Sequence, residues 1–238
     1  MTEVIAIVSG NKGGVGKTVI ASLIAYHLAI VGKKALVIDL GERGSSTLLL
    51  LGEDPGHPYL SDFFIGRATW SDVIVQSTFT PNLLVAPSTG EIGPVDPTSL
   101  EYLIDRVSKH VDFIVLDFPS YPGTLYDPLL DLARIHVVVF NPDALSYYSV
   151  VGWLKEKENL RKKLVLPVLN KYLVFLAEWK ERAVDDLGVV FTLPFDSALA
   201  FTATRDIEEA YNNASSSVKK SVELLAYRLQ KPLLKVSG

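Results

Sequence analysis

Short, continuous apolar runs recur along the chain with helical patterns between them. The runs are Val4 to Val8, Ala35 to Ile38, Leu83 to Ala86, Phe113 to Leu116, His136 to Phe140, Leu164 to Leu169 and Val189 to Phe191. They do not alternate with polar residues, so each needs apolar cover on both faces, as strands of a parallel sheet do. The intervening patterns predict helices over Lys17 to Val31, Thr98 to His110, Leu125 to Ala133, Ser146 to Arg161, Leu173 to Leu187 and Ser216 to Gln230. This order specifies an α/β architecture, a doubly wound and mainly parallel sheet with helices on both faces. Nothing in the 238 residues reads as a linker, repeat or low-complexity tract, so a single domain over 1–238 is expected.

In such sheets ligands bind beyond the carboxyl ends of the strands. The first strand runs directly into Ser9-Gly10-Asn11-Lys12-Gly13-Gly14-Val15-Gly16-Lys17-Thr18, which opens the first helix. Glycines at this place let backbone N–H groups turn inward on phosphate oxygens, while the helix presents its positive N-terminal end to the same charge. The loop therefore reads as a nucleoside triphosphate site, with Gly13, Gly14, Val15, Gly16, Lys17, Thr18 and Val19 around the phosphates. Lys17 is expected to reach the β- and γ-phosphates, and the Thr18 hydroxyl to ligate Mg²⁺. Asp39 and Asp117 each close an apolar strand, which puts two carboxylates where the metal and its waters would lie.

Composition narrows the chemistry. There is no cysteine, so disulfides, thiolate metal sites and iron–sulfur ligation are excluded. His27, His57, His110 and His136 are scattered without the spacing of zinc ligands. The apolar runs are of strand length, far short of a membrane span. The N-terminus enters a strand without a charged and then apolar leader, so a cytoplasmic location is expected.

A strict phosphate loop would carry glycine at position 11; this chain has Asn11 there, followed by Lys12. The form Lys12-Gly13-Gly14-Val15-Gly16-Lys17-Thr18 resembles the deviant Walker A motif of the ParA/MinD superfamily of P-loop ATPases. What the resemblance implies is an ATP/ADP- and Mg²⁺-dependent switch. Two subunits close face to face, and Lys12 crosses to the partner's nucleotide. Asp117-Phe118-Pro119-Ser120 is similar to the family's Walker B and switch II, making Asp117 the carboxylate behind the metal's waters. Asp39-Leu40-Gly41-Glu42-Arg43-Gly44-Ser45 is similar to switch I, with Gly41 in place of a second aspartate and Arg43 in place of a glutamine. A glycine cannot orient the attacking water, so slow hydrolysis is expected. Asn170 resembles the asparagine that reads the adenine edge, and Leu193-Pro194-Phe195-Asp196 resembles the loop that closes over the base. Phe195 and Ala198 stand where many ParA proteins carry arginines.

The resemblance is nearest to the ParA-type partition ATPases, so DNA partition is the expected output, with a MinD-like switch or a small-molecule enzyme as alternatives. A ParA-type partition ATPase would bind non-specific DNA as a dimer and answer to a ParB-like partner. Two basic clusters favour it, Lys155, Lys157, Arg161, Lys162 and Lys163, then Lys219, Lys220, Arg228, Lys231 and Lys235. A formal net charge of -4 and the missing arginines weigh against it. A MinD-type membrane switch would use the apolar face Val218, Val222, Leu225 and Leu229 of the last helix. That spacing more often docks a helix on its sheet, and Pro232 cuts the face off from Leu233 and Leu234, so membrane binding is not expected. A small-molecule ATP-dependent enzyme of the same superfamily is the second alternative.

Overall fold

The computed structural model describes residues 2–41, 44–89, 95–120, 126–202 and 205–231. Glu42, Arg43, Leu125, Pro232 and Lys235 lie outside them.

Eight strands form one sheet: β1 (Glu3–Val8), β2 (Ala35–Asp39), β3 (Val75–Gln76), β4 (Leu83–Ala86), β5 (Phe113–Asp117), β6 (Ile135–Phe140), β7 (Leu164–Tyr172) and β8 (Phe191–Pro194). Their spatial order is β3-β4-β2-β5-β1-β6-β7-β8, and every pairing is parallel except β3 with β4. Strand side chains point alternately to the two faces, so each strand feeds two cores. Ile5 and Ile7 join one, under α1 (Lys17–Ile30), α2 (Ser45–Leu51), α9 (Ile207–Asn213) and α10 (Ser216–Gln230). Ala6 and Val8 join the other, under α3 (Leu60–Phe64), α4 (Pro97–Val107), α5 (Asp127–Leu132), α6 (Ala144–Glu156) and α7 (Ala177–Leu187). A short helix, α8 (Ser197–Thr202), follows β8. α1 is apolar almost all round because the sheet, α2, α9 and α10 enclose it.

The structure corrects several predicted boundaries. The strand expected at Val189 to Phe191 runs instead from Phe191 to Pro194. Gly188, at φ 79°, ends α7, and Val189 is exposed on the way into the strand. The helix expected from Ser146 starts at Ala144, because the Asp143 carboxylate caps it by accepting the Ser146 N–H at 2.9 Å. It stops at Glu156, and Glu158–Lys162 forms a separate 3₁₀ turn. The helix expected from Leu173 starts at Ala177, after a 3₁₀ turn over Val174–Leu176. α2, α3, α8, α9 and β3 were not predicted; none is longer than seven residues, too short for hydrophobic periodicity to register. On α10 the face Val218, Val222, Leu225 and Leu229 is buried against the sheet layer.

One histidine of the core bears on the pH dependence of stability. His136 on β6 is fully buried, and its Nε2 bonds the Leu130 carbonyl at 2.9 Å. Burial, reinforced by nearby Lys163, lowers its pKa from 6.5 to about 4. The unfolded chain thus binds a proton that the native state refuses. This contribution to stability is complete above pH 6.5 and is lost as pH falls from there toward 4. Between pH 6.5 and 5 it amounts to about 2 kcal/mol. Denaturant melts of wild type and His136→Gln across that window should show a shallower slope for the variant; parallel slopes would assign the acid lability elsewhere.

Candidate functional site

Beyond the carboxyl end of β1, between the flanking strands β5 and β6, the chain forms the loop 9–16 and enters α1. The chain winds from β1 to β2 on one side while β6 lies on the other, and such a switch point opens a crevice. A cavity of about 420 Å³ lies along the same rim, lined by Gly14, Gly16, Lys17, Thr18, Asn170 and Pro194 among others. Val19, Phe195 and Asp196 also border it.

The backbone of the loop is built for an anion. Gly14 has φ 72°, and Gly16, which precedes the first turn of α1, has φ 96°. Among the described residues no side chain caps α1, which leaves the N–H groups of its first turn suited to an anionic ligand. Lys17 is 6% exposed, with its ammonium 3.2 Å from Ser9 Oγ and 3.3 Å from Ser120 Oγ. That places it between the loop and the end of β5. The Lys12 ammonium is 3.9 Å from the Asp143 carboxylate, and its side chain is about a third exposed. The neighbouring Asn11 N–H is fixed by Ser149 Oγ of α6 at 2.8 Å.

Asp39 and Asp117 are register partners on β2 and β5, and both are buried. Their surroundings differ. Asp39 is saturated: Oδ1 accepts the Gly41 N–H at 3.0 Å, and Oδ2 accepts the Thr47 N–H at 2.9 Å and hydroxyl at 2.7 Å. Asp117 has no partner in hydrogen-bonding geometry on either oxygen among the described residues, and neither has the buried Ser46 hydroxyl beside it. Burial, and then the charge of Asp39, pushes Asp117 up to about 7 against the pull of Thr18 and Lys17. Two orphaned carboxylate oxygens, a nearby orphaned hydroxyl and Thr18 form the oxygen set that suits Mg²⁺ with its waters.

On the β7–β8 side of the cavity Asn170 is buried, and its Nδ2 donates to the Val15 carbonyl at 2.7 Å. Lys171, with φ 55°, places Nζ 3.3 Å from the Gly14 carbonyl. Asp196 accepts the Leu199 N–H at 2.9 Å and the Ser215 N–H at 2.8 Å, tying this rim to α10. Sequence reasoning singled out Lys12, Lys17, Thr18, Asp39, Asp117, Asn170, Pro194 and Asp196; of the two strand-end aspartates, Asp39 is the one whose oxygens the protein itself engages. It missed Ser9, Ser46, Thr47, Ser149 and Lys171. Serine, threonine and lysine carry no pattern of their own; Ser9 lies in the loop itself, and only the fold brings Ser149 and Lys171 to the loop and Ser46 and Thr47 to the aspartates.

A family model described as an AAA domain matches residues 2–171, from β1 through Lys171. The septum site-determining protein MinD of Thermotoga maritima is 25% identical over 244 residues, covering 97% of this chain and 89% of that protein. The sporulation initiation inhibitor protein Soj of Bacillus subtilis is 28% identical over 162 residues, covering 64% of this chain and 62% of Soj. The solved MinD of Pyrococcus horikoshii, complexed with Mg-ADP, superposes with a TM-score of 0.80 at 24% identity, over 97% of each chain. With its phosphate loop, paired buried aspartates and parallel sheet, the chain belongs to the ParA/MinD superfamily of P-loop ATPases.

Proposed function

We propose that this chain is a positioning switch: ATP closes two copies face to face, the closed dimer recruits a protein partner, and hydrolysis releases it. The observation that carries this reading is Lys12. Its side chain is about a third exposed, and its ammonium makes a 3.9 Å contact with the half-exposed Asp143. Such a pair contributes little, so Lys12 can leave it for a second subunit's phosphates. In this reading Lys17 takes the β- and γ-phosphates, Thr18 and Asp117 hold Mg²⁺ and its waters, and Asn170, Pro194 and Asp196 border the base. Asp39 serves chiefly by fixing Gly41 and Thr47. When bound, Mg²⁺ neutralises charge developing on the phosphate oxygens.

Partition on DNA is the second reading, favoured by the likeness to Soj. Several lysines of its basic clusters are already engaged: Lys157 with Asp127 at 2.6 Å, Lys163 with the Asp131 carbonyl, Lys219 with the Asn212 carbonyl, and Lys231 over the Tyr227 ring. Of these only Lys157 is neutralised by a carboxylate; the others keep their charge but would have to leave their present partners to reach phosphates. Sedimentation of wild type and Lys12→Ala without nucleotide, with ADP and with ATP tests the switch; ATP-specific dimers that Lys12→Ala abolishes are expected, and nucleotide-independent monomers would overturn it. Adding duplex DNA over a salt series separates the two readings. Salt-sensitive binding by the ATP form alone would favour partition.

Hydrolysis is expected to be slow because Gly41 brings no carboxylate to the attacking water. A Cβ at Gly41 would lie 3.1 Å from Asp39 Oδ1, a tight contact that a small loop adjustment relieves. Gly41→Asp should raise single-turnover hydrolysis about ten- to hundredfold. An unchanged rate would place the water-positioning group elsewhere.

A further inference from the structure

Two consecutive residues at the end of β7 hold two consecutive carbonyls of the phosphate loop: Asn170 Nδ2 the Val15 oxygen at 2.7 Å, and Lys171 Nζ the Gly14 oxygen at 3.3 Å. We infer that Lys171 is a positioning residue for the phosphate loop, acting with Asn170 as a two-point staple that presets its N–H groups for the phosphates, rather than a reader of the base. This rests on the loop being the triphosphate site.

A trans peptide holds its N–H opposite its C=O. Bonding the Gly14 carbonyl to Lys171 therefore turns the Val15 N–H away from β7, and bonding the Val15 carbonyl to Asn170 does the same for the Gly16 N–H. A glycine-rich loop has many alternatives to this arrangement, and ordering it when ligand arrives costs affinity. The staple meets that cost on folding.

The backbone at Lys171 points the same way. Among the described residues it is the one non-glycine residue with positive φ, at 55°. It coincides with the break in β7–β8 register between Leu169 and Tyr172. Lysine is disfavoured in this conformation, which glycine adopts freely. Strain of this kind persists where the surroundings over-determine it, and it clusters at binding sites. Here it lets two adjacent residues address the same loop. In a regular strand Asn170 and Lys171 would point to opposite faces of the sheet.

The test separates backbone from side chain. Lys171→Gly keeps the left-handed conformation and removes the ammonium; Lys171→Arg keeps a cation of similar reach. Binding of ADP and of inorganic tripolyphosphate, both with Mg²⁺, is measured by calorimetry, with melting temperature alongside. The Gly variant should melt no lower than wild type yet bind both ligands about three- to tenfold more weakly, with most of the loss restored in the Arg variant. Wild-type affinity in Lys171→Gly would overturn the inference. A loss for ADP alone would also overturn it, since that assigns Lys171 to the base. If wild type itself binds neither ligand, the triphosphate reading fails instead.

Discussion

Lys17→Ala should lower ATP affinity by more than a hundredfold. The Lys17 ammonium is buried, 3.2 and 3.3 Å from two hydroxyls and flanked by the loop and β5. Phosphate oxygens accept charge-assisted hydrogen bonds from an ammonium, and these are stronger than its bonds to neutral hydroxyls. Two charge-assisted hydrogen bonds at about 1.5 to 3 kcal/mol each correspond to a loss of between two and four decades in affinity. The fold should survive, because Lys17 stands at the rim of the sheet and belongs to neither apolar core. Titration of a fluorescent ATP analogue, with circular dichroism as a folding control, reads both quantities. Retention of affinity within threefold would mean that phosphates bind elsewhere.

Gly16→Ala is the other large effect, and it acts through the backbone. Gly16 has φ 96°, outside the conformations that alanine adopts without strain. Its new Cβ would also lie 2.4 Å from Asn170 Nδ2, which is buried and bonded to Val15. Either the loop turns or Asn170 is expelled, and both break the link between β7 and the loop. ADP affinity should fall at least thirtyfold, and the melting temperature by several degrees, given a cost of about 2 to 3 kcal/mol from strain and a lost buried hydrogen bond. Gly14→Ala is an informative companion, because its φ of 72° is equally unfavourable but its Cβ would meet nothing within 4 Å. A smaller loss there would isolate the steric part of the Gly16 effect. Equal losses would assign the whole effect to backbone conformation.

Most of the sheet was legible because a strand buried on both faces must be apolar throughout, and Phe113 to Leu116 or Leu83 to Ala86 admit no other reading in this order. Long helices were legible from their periodic faces, and α10 runs over Ser216–Gln230 as its pattern indicated. Ends of elements were less so. Asp143 starts α6 two residues before the apolar pattern does, and the Gly188 turn moves β8 downstream. α2 was invisible for a second reason besides its length. Its first turn is set by Asp39 reaching Thr47, a contact between a strand end and a residue eight positions on.

The sequence alone determined the class of fold, the phosphate loop and the two strand-end aspartates, since each depends on neighbours within a few positions: a glycine-rich turn between strand and helix, or a carboxylate closing an apolar run. The tertiary structure decided how these parts are used. It paired Asp39 with Asp117 across β2 and β5, saturated the first with Thr47 and Gly41, and left both oxygens of the second without a well-formed hydrogen bond among the described residues. It brought Asn170 and Lys171 to Val15 and Gly14 across more than 150 positions of sequence. Side-chain roles of this kind rest on which groups compete for the same hydrogen-bonding atoms, and that competition exists only once the chain has folded.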